Sequence, residues 1–277
     1  MDYIEYRCKV SEPNEANEIF IAWMAQFGFD SFSENEEGFS AFILSHLYNN
    51  STELEVKNHP FQNYKLEFEV IEVPTQNWNE TWESSYPYVL VDDKCLVRAP
   101  FHEPIQGVEF DIIVEPKMSF GTAHHETTFG IIQLMLEMDI KDEVVMDMGC
   151  GTGVLGILAM LKGAKYCVAI DNDEWAYLNS LENFERNKIE NFEVIHGDAK
   201  SIPNLKFDTF IANINRNILV RDMEYYMEYL KDNGRIIFSG FYDGEDFEII
   251  KAHAAKFNLK LAQYKLNNQW VAATFIY

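Results

Sequence analysis

Residues 147–157 read DMGCGTGVLGI, four glycines in eleven positions, directly after the apolar run EVVM. A strand that ends in closely spaced glycines and then opens a helix brings main-chain N–H groups within reach of a ligand, an arrangement used for nucleotide-bearing cofactors. Read from Gly151, the glycines satisfy G-x-G-x-x-G, which alone is a weak signal for a dinucleotide. Four polar residues sharpen it. Asp147 stands two positions before Gly149, Asp171 ends the next strand-like run, Asp198 ends a third in HGDA, and Asn213 ends a fourth in IANI. A carboxylate at 147 would repel a pyrophosphate yet serve the ammonium of an amino-acid moiety. Asp171 is placed to accept from ribose hydroxyls, which suits either cofactor, and Asp198 to accept from an adenine exocyclic amine. Singly, each has a plainer reading as a cap, a turn residue or a strand terminator. Together, at successive strand ends around Gly149 and Gly151, they favour S-adenosylmethionine over a dinucleotide.

Bringing those ends together requires a parallel sheet. From residue 89 the sequence alternates strand-like and helical runs: EVVMDMG, YCVAID, FEVIHGDA, FDTFIANI and RIIFSGFY are separated by amphipathic stretches, and LKLAQYKLN and QWVAATFIY close the chain. This predicts an α/β domain with a mostly parallel seven-stranded sheet. The last two strands, joined by a short turn, must form an antiparallel hairpin. The helix ILVRDMEYYMEYLKD is expected to run up to Gly234. Ahead of it, MDYIEYRCKV, DSFSENEEGFSAFILS and YKLEFEVIEV alternate like strands, and SEPNEANEIFIAWMAQFGF has helical spacing with Ser11 as N-cap and Pro13 in the first turn. These predict a small α+β domain over residues 1–75. Trp78 and Trp82, spaced i, i+4, fall in a connector at 76–88, where one helical face would anchor both indoles by packing. The larger domain then covers 89–277.

The chain carries 45 Asp+Glu against 22 Lys+Arg, a formal net charge of −23. Such a surface repels phosphate backbones and anionic lipid headgroups, so neither nucleic acid nor a membrane is an expected direct partner. The excess is uneven: residues 1–75 hold 14 acidic and 4 basic side chains, a net −10 suited to drawing in a basic protein. The four cysteines are widely spaced without CxxC or Cys/His ligand patterns, which points to a reducing compartment. No apolar signal core or membrane-length run is present, so a cytoplasmic location is expected. His124, His125 and Glu126 suggest a metal at first sight. Adjacent histidines diverge on either a strand or a helix, so no metal is expected, and His124 reads as a hydrogen-bonder that fixes its loop.

DMGCGTGVLGI, AIDND, HGDA and ANI resemble the successive motifs of class I S-adenosylmethionine-dependent methyltransferases. VEPKMSFGTAHHETT, residues 114–128, is similar to the signature of the bacterial methyltransferases that modify the eleventh protein of the large ribosomal subunit, and NWNETWES resembles their connector. The resemblance spans about residues 76–277; over the first 75 it is one of layout. It implies a Rossmann-like catalytic domain, a substrate-recognition domain at 1–75, a monomer, and methylation of lysine side chains and an N-terminal amine, often to the trimethyl state. Carried over, it places cofactor contacts at Thr128, Gly149, Asp171 and Asn213, beside Asp147, Gly151 and Asp198 from the residue reading. Asn213 is expected to orient the incoming amine with its side-chain carbonyl, and Phe120 to act as an apolar cover. One departure stands out: the family usually reads Gly-Thr-Gly where this chain has Gly121, Thr122 and Ala123, which costs strain if the third position needs a positive φ. The alternative is a methyltransferase of the same fold acting on another protein or a small metabolite, which would not need the first 75 residues for docking.

Overall fold

The computed structural model describes residues 3–73, 86–117 and 119–277, and the chain divides into two compact units, Met1–Ser85 and Tyr86–Tyr277. The connector tryptophans Trp78 and Trp82 lie outside the described residues.

In the first unit, β1 (Tyr3–Val10), β2 (Phe29–Asn35), β3 (Gly38–Leu44) and β4 (Leu66–Val73) form an antiparallel sheet in the order β2-β3-β1-β4. The alternation of β1 appears directly as burial: Ile4, Tyr6, Cys8 and Val10 point into the core while Arg7 and Lys9 are exposed. Helix α1 (Pro13–Met24) adds Ala16, Phe20 and Met24, one residue per turn, to the same core. Pro13 opens this helix, but the N-cap is Glu12 without a side-chain cap. Ser11 instead accepts from the Lys65 N–H at 3.1 Å, tying the helix entry to the start of β4. A further helix, α2 (Asn50–Lys57), was not expected; NSTELEVK lacks an apolar stripe, and Asn49 starts the helix by accepting from the N–H groups of Ser51 and Thr52.

In the second unit, three short strands, β5 (Val89–Val91), β6 (Cys95–Arg98) and β7 (Phe110–Ile113), form a small sheet that periodicity had not suggested. The main sheet holds β8 (Val144–Met148), β9 (Tyr166–Asp171), β10 (Phe192–His196), β11 (Phe207–Asn213), β12 (Leu230–Tyr242), β13 (Lys260–Asn267) and β14 (Trp270–Ile276). Its order is β10-β9-β8-β11-β12-β14-β13. The first five run parallel, and β14 pairs antiparallel with both β12 and β13. The seven-stranded, mostly parallel sheet with a closing hairpin is therefore present. Both faces are covered, as a parallel sheet demands. On β11, Ile211 joins the core under α3 (Glu126–Leu136), α4 (Val154–Leu161) and α5 (Glu174–Arg186). Its neighbours Phe210 and Ala212 join the core under α6 (Arg216–Tyr229) and α7 (Glu245–Ala255).

Helix α6 stops at Tyr229 rather than reaching Gly234, which lies inside β12. The cause is Leu230: extended at ψ 139°, it buries its side chain in the second core. The topology gathers the C-terminal ends of β8, β9, β10 and β11 at one edge of the sheet, with the strand order reversing between β8 and β11.

Candidate active site

The glycine loop follows β8. Gly149 and Gly151 have φ of 69° and 56°, the left-handed region open to glycine. Their bareness makes room first for protein: a Cβ at Gly151 would stand 2.1 Å from the Phe120 carbonyl oxygen, and one at Gly149 2.4 Å from Ile214 Cγ2. The loop is thus clamped between the 119–125 segment and the turn after β11. Thr152 completes the clamp, donating its N–H to the Phe120 carbonyl at 2.8 Å and its hydroxyl to the Gly121 carbonyl at 2.7 Å.

The carboxylates divide into two environments. Asp171 accepts from the Gly151 N–H at 2.8 Å and from the Asp173 N–H at 3.0 Å, so it fixes both the loop and the start of α5. Asp198 caps the short turn Ala199–Ser201 through the Lys200 N–H at 2.9 Å, the turn chemistry weighed from sequence. Gly149, Asp171 and Asp198 line one crevice, with Ile214 on its other side. Asp147 lies behind the loop, 1% exposed. Its Oδ2 accepts from the Gly156 N–H in the first turn of α4 at 3.0 Å, and its Oδ1 is buried without a partner. Burial pushes its pKa up to about 7, with the Gly156 N–H opposing and the charge of Asp171 adding. Burial also raises the thiols of Cys150 and Cys167 well above their usual range.

Thr128 and Asn213 do not line that crevice but meet at the end of β11, next to Ile214, which does. Asn213, at the end of β11, donates Nδ2–H to Thr128 Oγ1 at 3.1 Å, which leaves its carbonyl Oδ1 buried and unpartnered. The segment that reaches Thr128 is pinned by its histidines. His124 donates Nε2–H to the Pro87 carbonyl and accepts at Nδ1 from the Thr122 hydroxyl, both at 3.0 Å. His125 caps α3 by accepting from the Thr127 N–H. The two rings serve different partners, and among the described residues no group of three or more potential ligands could hold a metal ion. Ala123 has φ 65° and is 1% exposed, so the strain anticipated for a non-glycine residue at this position is present. Phe120 is about half exposed at the loop tip.

Sequence reasoning missed one wall of the crevice. Ile218, Asp222 and Tyr226 line it from α6 together with Arg221. Their spacing of four was the available signal, since it sets them on one helical face above the strand ends. Also unanticipated were the α5 asparagines. Asn183 accepts from the Glu115 N–H and donates to the Thr152 carbonyl, and Asn187 both donates to and accepts from the main chain of Ile113.

The donor set tests which ligand fits. Among the described residues the one cation lining the crevice is Arg221, which donates to Asp222 through two contacts of 2.6 and 2.7 Å. Three aspartates line the same space and Asp147 lies behind it, so the crevice suits a ligand with positive charge and hydroxyl or amine donors and repels a pyrophosphate.

The model of a family described as ribosomal protein L11 methyltransferase matches residues 15–276. A protein of that name from Bacteroides thetaiotaomicron is 38% identical over 284 residues, covering 100% of both chains. One from Porphyromonas gingivalis is 38% identical over 284 residues, 99% of this chain and 98% of its own. Among solved structures, the ribosomal protein L11 methylase of Lactobacillus delbrueckii subsp. bulgaricus aligns with a TM-score of 0.63 at 23% identity, over 69% of this chain and 98% of that one, a likeness of fold.

Proposed function

The chain belongs to the ribosomal protein L11 methyltransferase family, and from that premise we propose that it methylates amines of the eleventh protein of the large ribosomal subunit with S-adenosylmethionine as donor. The observation that carries the chemistry is Asn213: its amide is tied to Thr128, while its buried carbonyl has no partner. A buried acceptor left open costs on the order of 1–3 kcal/mol, a cost that an amine N–H arriving in the site would offset.

When bound, the cofactor supplies a methyl group activated by a sulfonium. The chain's own part is to hold it and the acceptor nitrogen in line, roughly 3–3.5 Å apart. Asp171 serves the ribose hydroxyls, Asp198 the adenine amine and Asp147, from behind the loop, the ammonium of the methionyl moiety through water, while Gly149 and Gly151 shape the loop around them. Thr128 fixes the amide so that the Asn213 carbonyl faces the acceptor. A lysine amine, with an ordinary pKa of about 10.4, must lose a proton before it attacks. Removal from water beside a positive charge lowers that pKa, so the site can dispense with a dedicated base. A neutral amide suits repeated methylation of lysine side chains and an N-terminal amine, because it stays uncharged as the substrate loses N–H donors.

Residues 1–75 act as the substrate-recognition domain, 76–88 as the connector and 89–277 as the catalytic domain. The strongly acidic composition supports a basic protein partner in the cytoplasm and disfavours direct contact with nucleic acid, and a monomer suffices for the site as described. Among the described residues no helix is long and apolar enough to cross a membrane. Intact-mass spectrometry of the purified eleventh protein after incubation with enzyme and S-adenosylmethionine tests the reading. Stepwise gains of single methylene units are expected, reduced at least a hundredfold in rate by Asn213→Ala with cofactor affinity within tenfold. Cofactor binding without any mass gain would overturn the substrate assignment.

A further inference from the structure

We propose that Tyr226 and Asp222, on the inner face of α6, read the purine of the cofactor and make the site selective for a 6-amino purine. The inference rests on the cofactor reading above and adds two residues to it. Tyr226 is fully buried, yet its hydroxyl has no hydrogen-bond partner. The residue lines the cofactor crevice, and the charged groups nearest in effect to its hydroxyl, Asp222 and Arg221, line the same crevice. Its ring is held by Phe210, with centroids 4.7 Å apart, so the phenol is rigidly placed.

An unpaired buried hydroxyl is unfavourable, and Phe would fill the same space without that cost. An unpartnered hydroxyl on a residue that lines a ligand crevice can gain its partner when the ligand arrives. The groups gathered at this end are complementary to one edge of adenine. Asp198 and Asp222 offer carboxylate oxygens for the two hydrogens of the exocyclic amine, and the Tyr226 hydroxyl can donate to a neighbouring ring nitrogen. Arg221 grips both oxygens of Asp222, orienting that carboxylate while leaving lone pairs free. A 6-oxo purine would turn a carbonyl oxygen towards the two carboxylates and would be rejected, since a site built to bond one group leaves its polar atoms unpaired, or repelled, by the analogue lacking it.

The test is calorimetric titration of S-adenosylhomocysteine and its 6-oxo (inosine) analogue into wild type, Tyr226→Phe and Asp222→Asn, with thermal melting of each unliganded protein. Wild type should bind the adenine compound at least tenfold more tightly than the 6-oxo compound. Tyr226→Phe should weaken S-adenosylhomocysteine about tenfold while leaving the unliganded melting temperature unchanged or higher, the reverse of what a core-packing role predicts. Asp222→Asn, whose amide can donate to a 6-oxo group, should narrow the discrimination several-fold. Unchanged affinity in Tyr226→Phe together with unchanged discrimination in Asp222→Asn would overturn the inference and leave the cofactor reading standing. Failure of wild type to bind S-adenosylhomocysteine would instead remove the cofactor reading on which it depends.

Discussion

Asp147 is a carboxylate almost wholly removed from water. Burial pushes its pKa up to about 7 from an ordinary aspartate value of about 3.8, so the folded chain keeps a proton that the unfolded chain releases between about pH 4 and pH 7. The sign follows from linkage: its contribution to stability is full below pH 4, is lost as pH rises through that window, and is level above 7. The loss is on the order of 4 kcal/mol at most. Asp147→Asn keeps an oxygen for the Gly156 N–H but cannot ionise, so the melting temperature of the variant should gain on wild type steadily from pH 4 to pH 7; parallel curves would remove the argument. A cationic ligand favours the carboxylate, so S-adenosylmethionine binding should expel a proton and tighten from pH 6 to pH 8, in wild type only. Ala123 is a smaller case with opposing terms. Its left-handed backbone costs roughly 1–2 kcal/mol. Gly would relieve that but lose a buried methyl worth about 0.8 kcal/mol and gain unfolded-state freedom worth about 0.4–1 kcal/mol. Denaturant unfolding of Ala123→Gly should therefore show a change under about 1 kcal/mol, and a gain above 2 would mean that the loop stores more strain than one residue's φ.

At the scale of elements, α5 does more than cover the sheet. Asn179, Asn183 and Asn187 recur every four residues and hold Ile113 and Glu115, the approach to the 119–125 segment, in register with the Thr152 carbonyl of the glycine loop. Asn183 is fully buried, so Asn183→Leu would strand the Glu115 N–H and the Thr152 carbonyl at roughly 1–3 kcal/mol each. Urea unfolding should show a loss of about 2–5 kcal/mol. Asn187→Leu, at a partly buried position, should cost less, and a reversed order would argue against the ladder. These asparagines also mark the limit of what the sequence disclosed. Strands such as YCVAID and FDTFIANI were legible because burial on both faces of a parallel sheet demands continuous apolar runs, and so were the polar residues that end them. The α5 ladder and the α6 wall were not, because a polar residue on a helix carries no sign of which distant backbone it faces. The end of α6 was misplaced for a related reason: Leu230 leaves the helix for a core contact that local propensity does not encode. The covering segment lay between, with His124 assigned to loop fixing from residue type and its partner at Pro87 visible only in three dimensions.

For the whole molecule the decisive quantity is the distribution of charge. The −10 carried by residues 1–75 has a bland reading, solubility, and a functional one, attraction of a basic substrate to the recognition domain. The two differ in what salt does. Exposed charges interact over a Debye length of about 10 Å at 0.1 M salt and about 3 Å at 1 M, so steering weakens with ionic strength while a buried crevice is screened much less. Raising salt from 50 to 300 mM should raise the KM for the ribosomal protein about three- to tenfold and change the Kd for S-adenosylmethionine less than twofold. Glu67, Glu69 and Glu72 are exposed along β4, an edge strand of the first unit. Neutralising all three to Gln should reproduce part of the KM rise at low salt and flatten its salt dependence, with kcat unchanged. A KM indifferent both to salt and to these substitutions would assign the acidity to solubility, and recognition would then have to rest on shape and apolar contact.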